Sequence, residues 1–167
     1  VIESYIAKYR SKGILIDTDL LLLLFIGRVS LEFIQQFKRT ATYTAADYQM
    51  LLRLIDQFET VVVTPNILTE VSNLANGLHG NRLRDFFHVF KESLSILSEE
   101  FISSSVAAFQ PGFDIYGLAD IGIGAIAKNK YLVLTDDLRF ADFAGRNGID
   151  VINFNHLRQA AWATANA

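Results

Sequence analysis

The chain has 167 residues, 51% of them hydrophobic, with two prolines and ten glycines, so it can bury one sizeable core and is too apolar for a disordered or linker-rich protein. With no cysteine, a disulfide framework, a Cys-ligated zinc or iron–sulfur site and a thiol nucleophile are all excluded. Fifteen Lys+Arg against 18 Asp+Glu give a net charge of −3, which argues against a generally basic nucleic-acid coat and leaves room for a local basic groove.

The first strong apolar run, Ile14 to Ile26, is interrupted only by Asp17, Thr18 and Asp19. A membrane span wants about 20 apolar residues, and carboxylates within it are costly in lipid. A signal peptide fits poorly too, because Glu3 lies upstream and no small-residue cleavage site follows, although Val1 in first place reads as a processed or trimmed start. The run is expected to be a buried strand, Ile14-Leu15-Ile16, followed by a buried helix. A cytoplasmic protein with one domain over 1–167 and no membrane partner is the expectation.

Further along, Thr44-Ala-Ala-Asp47 carries an N-cap signature ahead of a helix from Tyr48 to Phe58, whose Leu51, Leu54, Ile55 and Phe58 recur at helical spacing. Val61-Val62-Val63 reads as the next strand, and Thr64-Pro65 as the cap and first turn of a helix ending near Asn76-Gly77. A helix from Asn81 to Lys91 interleaves Arg82, Arg84 and Lys91 with Phe86, Phe87 and Phe90. That pairing suits a single-strand nucleic-acid track, but the phenylalanines are first read as core or a dimer face. Leu94 to Leu97 is a weaker strand candidate, followed by expected helices at Glu99 to Phe109 and Leu118 to Lys128. Tyr131 to Leu134 and Ile149 to Ile152 are expected strands, with a helix over Leu138 to Arg146 between them. Trp162, near the Ala-rich end, is expected to anchor a terminal helix. His79, His88 and His156 lack ligand spacing with one another.

Strands alternating with helices imply βαβ crossovers, hence an α/β fold with a mainly parallel sheet covered on both faces. Ligands of such sheets bind outside the carboxyl ends of the strands. Here those ends are acidic. Asp17 and Asp19 follow the first strand, Asp136 and Asp137 follow Tyr131–Leu134 and Thr135, Glu70 lies in the second turn after Val61–Val63, and Asp120 opens the helix that leads to Tyr131. Any one of these acids could be a helix cap or a solvated charge. Asp17, Glu70 and Asp120 are instead embedded among apolar residues, where unpaired carboxylates are rare.

Two like charges 4 Å apart repel by about 4 kcal/mol at an effective dielectric near 20, so clustered acids must protonate, splay or bind a cation. With all-oxygen donors, Mg²⁺ or Mn²⁺ is favoured over Zn²⁺, and such ions activate water for phosphodiester hydrolysis.

Four segments, Ile14-Leu-Ile-Asp17-Thr-Asp19-Leu-Leu, Val63-Thr-Pro-Asn-Ile-Leu-Thr-Glu70-Val, Gly117-Leu-Ala-Asp120 and Leu134-Thr-Asp136-Asp137, together resemble a PIN domain in order and spacing. PIN domains are small metal-dependent ribonucleases that include toxins of toxin–antitoxin pairs. The resemblance covers nearly the whole chain, from Ile14 to about Phe154. It implies a three-layer α/β/α sandwich, with Asp17, Glu70, Asp120 and either Asp136 or Asp137 holding Mg²⁺ or Mn²⁺. It also implies an RNA substrate cleaved to a 3′-hydroxyl and a 5′-phosphate, an antitoxin partner and a homodimer. Family members commonly carry Asn where Asp19 stands, and Asp19 is expected to cap the following helix rather than join the metal. Thr18, Thr135 and Asn155 are candidates to support the carboxylates. Among the basic candidates Arg28, Lys38, Arg39, Arg82, Arg84, Lys91, Arg139 and Arg146, those singled out for RNA are Arg82, Arg84 and Arg139. Arg28–Arg39 and Asn81–Phe109 are the expected sources of helix beyond a minimal member.

Two other readings compete. Asp17-Thr-Asp19 after a hydrophobic strand also resembles the aspartyl-phosphate phosphatases of the haloacid dehalogenase type, in which the first Asp is the nucleophile. That reading lacks the turn residues expected just after the Asp pair and leaves Glu70 and Asp120 without a role. A non-catalytic PIN-like module binding RNA or protein is the other, and the full set of acids argues against it.

Overall fold

Three-residue runs such as Ile14–Ile16 are apolar on both sides, so they are stable only in a sheet covered on both faces. The computed structural model, which describes residues 2–165, builds them that way. In chain order the elements are α1 (Ile2–Tyr9), β1 (Ile14–Ile16), α2 (Thr18–Val29), α3 (Leu31–Gln36), α4 (Ala45–Ile55), β2 (Val61–Val63), α5 (Pro65–Leu74), a 3₁₀ turn (Ala75–Gly77) and α6 (Gly80–Leu94). They continue with β3 (Ser98–Glu99), α7 (Ser104–Ala108), α8 (Phe113–Ala127), β4 (Leu132–Thr135), α9 (Leu138–Arg146), β5 (Val151–Asn153) and α10 (Phe154–Ala165). Val1, where a trimmed start is expected, lies outside the described residues.

All five strands are parallel, in the order β3-β2-β1-β4-β5. The chain leaves β1 in one direction through β2 to β3, then crosses back to β4 on the other side of β1 and continues to β5. Right-handed crossovers therefore put α2–α6 on one face and α7–α9 on the other, giving the α/β/α sandwich. The strand order reverses between β1 and β4, where open α/β sheets form their ligand crevice.

Helix α2 is the hub of its layer. Leu20 to Gly27 are all buried, and α3, α4, α5 and α6 pack around it, so its all-round apolar sequence reflects a helix inside the protein. Gly27 permits the close approach of α4, because a Cβ there would stand 2.3 Å from the Tyr48 ring. The expected caps are present. Thr44 and Asp47 form a reciprocal capping box on α4, and Thr64 caps α5 ahead of Pro65. At the opposite edge of the sheet, Lys8 and Tyr9 of α1 both donate to Asp150, at 2.6 and 2.7 Å. None of the described helices is long and apolar enough to cross a membrane.

The departures from expectation cluster between β2 and β4. Leu94 ends α6, and the amides of Ser95 and Leu97 bond back to Glu92 and Ser93, so the strand expected at Leu94–Leu97 forms instead at Ser98–Glu99. The helix expected over Glu99–Phe109 shrinks to Ser104–Ala108, capped by Ser103. The open edge of β2 pairs with Ser98 and Glu99, and Glu100 N–H donates to the Val63 carbonyl at 2.9 Å, which holds this stretch extended. A ladder to a distant strand outweighs local helical periodicity. Helix α8 begins five residues before the expected start and carries a break at Gly117, whose φ of 77° and ψ of −173° lie outside helical space. The extra helix expected from 28–39 is α3, and that from 81–109 is α6 with the short α7.

Candidate metal centre

Each acid reaches the carboxyl edge of the sheet by a local device. Asp17 ends β1 and caps α2: its Oδ1 accepts from Leu20 N–H and its Oδ2 from Asp136 N–H, both at 3.1 Å. Asp17, rather than Asp19, is therefore the cap. The cap must sit outside the first helical residue, and α2 already begins at Thr18. Asp137 caps α9, accepting from the amides of Arg139 and Phe140 at 2.7 and 3.0 Å. Glu70 stands in the second turn of α5 and accepts from the Thr18 hydroxyl at 2.7 Å. Asp120 is in the first turn beyond the Gly117 break, so the break brings the start of a regular helix, and its acid, to the crevice.

These side chains line one cavity of about 410 Å³, bounded by Asp17, Asp19, Glu70, Asp120, Asp136 and Asp137 together with Thr18, Arg39, Asn73 and Leu74. The five expected acids are thus brought together at the β1/β4 switch point, and Asp19 joins them. Among the described residues no three Asp, Glu or His side chains stand close enough to form a metal-ligand cluster. The carboxylates are spread around the wall, as their mutual repulsion favours.

That repulsion also marks their protonation. Burial, then the neighbouring Asp136 charge, pushes Asp17 well above the usual carboxylate range, against the Thr135 hydroxyl and the Leu20 amide. Asp17 is only 6% exposed. Asp120 is pushed up to about 7 by burial, then by Asp137, Glu70 and Asp19. Asp19 is raised by burial and Asp136, with Arg39 pulling it down, so it faces both halves of the cluster. A cavity that holds acids partly protonated at neutral pH is one that favours an added positive charge.

The supporting residues fall as expected in part. Thr18 holds Glu70, the Thr135 hydroxyl accepts from Asp137 N–H at 3.0 Å, and Asn155 Nδ2 donates to the Asp136 carbonyl at 2.8 Å. The basic residues singled out for RNA do not line the cavity. Arg82 packs its guanidinium over the Phe33 ring, 4.6 Å from the centroid, and bonds Gln36, while Arg84 bonds Asn81. Arg139 contributes backbone groups: its N–H goes to Asp137 and its carbonyl accepts from Tyr116. Phe86 is buried and Phe90 half-buried, and the two join Phe25 in an edge-on and stacked ring cluster, so these two are core, whereas Phe87 keeps 38% of its surface in solvent.

Sequence reasoning missed two participants. Arg39 was one basic residue among many, and only the turn after α3 brings it to the acids. Tyr43, 3% exposed, donates its hydroxyl to Asp136, and burial followed by that carboxylate's charge raises its pKa so that it stays a donor. Tyr43 in turn lies under the Arg158 guanidinium, 4.9 Å from its ring centroid. Arg158 is anchored on Asp47 at 3.0 Å, on the Thr42 carbonyl at 2.7 Å and on Asn155 Oδ1 at 3.0 Å. No signal in a lone loop tyrosine announces this. Comparison with family models, with curated proteins and with solved structures finds no match to this chain.

Proposed function

We propose that this chain is a divalent-metal-dependent ribonuclease. The observation that carries the reading is the set of carboxylates, distant in sequence, that lines one cavity at the point where the strand order reverses. The donor set fits Mg²⁺ or Mn²⁺, being all oxygen, and the raised pKa values of Asp17 and Asp120 fit a site short of positive charge. Asp17, Glu70, Asp120 and an acid of the Asp136-Asp137 turn would hold the ion, with Asp19 beside them. RNA as substrate, an antitoxin and a homodimer rest on the resemblance of the four segments to PIN domains. Helix α2 starts directly after Asp17, leaving no chain for the flap expected of an aspartyl-phosphate phosphatase, and Glu70 and Asp120 share the cavity; both weigh toward the nuclease.

Bound there, the metal would supply an activated water and charge stabilisation at the departing oxygen. The chain's own residues do the rest. Two backbone amides orient Asp17, the Thr18 hydroxyl orients Glu70, and Tyr43 with Asn155 holds both ends of Asp136. Arg39 is the cation lining the cavity, suited to a phosphate oxygen, and it offsets the field that an acidic wall presents to RNA.

The test is incubation of a mixed RNA pool with Mn²⁺ or Mg²⁺, comparing wild type, Asp17→Asn and Asp120→Asn. Wild type should cleave, and either variant should lose activity by about a hundredfold or more. Equal cleavage in the presence of a chelator overturns the mechanism.

A further inference from the structure

A second cavity, of about 540 Å³, lies at the carboxyl end of β5, between the first turn of α9 and one face of α10. Its wall includes Leu138, Asn153, Asn155, His156, Gln159 and Trp162. It is tied to the acidic site twice: Leu138 follows Asp137 in the chain, and Asn155 Nδ2 holds the Asp136 carbonyl at 2.8 Å.

The chemistry of this cavity is unlike that of its neighbour. No carboxylate lines it. Trp162 and Leu138 keep 63% and 51% of their surfaces in solvent. Asn155, Gln159 and Trp162 recur at four and three residues, which puts them on one face of α10. Arg158 is committed to Asp47, Thr42, Asn155 and the Tyr43 ring, so it braces the wall instead of offering a charge. Asn153 is buried; its Oδ1 accepts from Asn155 N–H, yet its Nδ2 has no hydrogen-bond partner.

An apolar aromatic wall beside amide and imidazole groups, with no formal negative charge, matches a flat heteroaromatic ring with a hydrogen-bonding edge. The volume is in the range of small-ligand pockets, and bases of any identity stack on an indole face. We propose that this cavity is a nucleobase subsite, which stacks an unpaired base of an RNA strand on Trp162 and meets its edge with Gln159 and His156, next to the phosphodiester held at the carboxylates. The proposal rests on the ribonuclease reading and names how that substrate is gripped: as single strand, through a base.

Trp162 is the sole tryptophan, so it reports its own occupancy. The probe is an unstructured RNA oligonucleotide of about ten nucleotides, a length that covers one single-strand site, titrated in EDTA at low salt. Saturable quenching of the indole fluorescence is the expected result. By anisotropy of the labelled oligonucleotide, Trp162→Ala should raise Kd about tenfold while Trp162→Phe stays near wild type. The slope of log K against log salt should be the same in all three, because stacking releases no counterions. Gln159→Ala, on an exposed position, should flatten any preference among bases. Wild-type affinity in Trp162→Ala, from a protein that still cleaves RNA with Mn²⁺, overturns the subsite and leaves the ribonuclease reading standing. Failure of the wild type both to bind and to cleave RNA overturns the two together. Cleavage without quenching, or quenching by a peptide and not by RNA, removes the subsite alone.

Discussion

Asp17 does two jobs that compete. As the cap of α2 and acceptor from Asp136 N–H it is a structural carboxylate, and its two amide bonds stabilise the charged form. Burial and the Asp136 charge work harder in the other direction. Asp120 is pushed up to about 7 by burial, then by Asp137, Glu70 and Asp19. A half-buried carboxylate facing the charges of three others costs stability. In EDTA at pH 8, Asp120→Asn should therefore melt above wild type, by about 2–4 °C if roughly 1 kcal/mol of repulsion is relieved. A lower melting temperature would mean that the carboxylate supports the metal-free fold. Tyr43 and Arg39 act at the same scale, one holding Asp136 in place and the other tempering Asp19.

Between elements, the site depends on a brace far from the acids in the sequence. Helix α10 is tied to α4 by Arg158 on Asp47, and through Asn155 to the Asp136 turn. Burial alone would raise Asp47, but the Arg158 bonds and the Thr44 capping box outweigh it and hold the carboxyl below its usual value. A group lowered on folding contributes stability above its unfolded value, near 3.9, and loses it as pH falls through the folded value. Denaturant titration of Asp47→Asn should thus find it about 1–3 kcal/mol less stable than wild type at pH 7, with the gap closing below about pH 4. A gap that persists at pH 3 would assign the effect to packing instead of charge.

The same scale explains which elements could be read beforehand. The helix expected over Leu138–Arg146 has the bounds observed, and α4 and α5 start at their expected caps, because capping side chains and periodic apolar residues act within a few positions. The stretch from Ser98 to Glu100 departs from its local periodicity because its partner is the β2 edge, some 36 residues earlier. For Asp19 the difference is two residues of helix phase, since the cap falls at Asp17, and that shift decides whether an acid caps a helix or faces a crevice.

For the whole molecule, the parallel sheet concentrates strand ends and helix starts on one edge, and the reversal between β1 and β4 opens the crevice there. An ion that binds the folded chain alone must stabilise it. At a hundred times its Kd, Mn²⁺ should add about 2.7 kcal/mol, a rise of roughly 5–10 °C for a chain of this size, and Asp17→Asn should respond far less. A wild-type melting temperature indifferent to Mn²⁺ would remove the metal from the proposal.

Local chemistry in the chain was enough to specify an α/β architecture, the starts of α4, α5, α6 and α9 and the acids Asp17, Glu70, Asp120, Asp136 and Asp137, since each rests on the type of a residue and its near neighbours. Long-range packing had to supply the remainder: that these acids share one wall, that Asp19 and Arg39 belong with them, that Tyr43 and Arg158 brace them, and that Trp162 stands in solvent beside a second cavity. Those relations are distances between segments far apart in the chain, and a distance of that kind exists only once the sheet has brought the segments side by side.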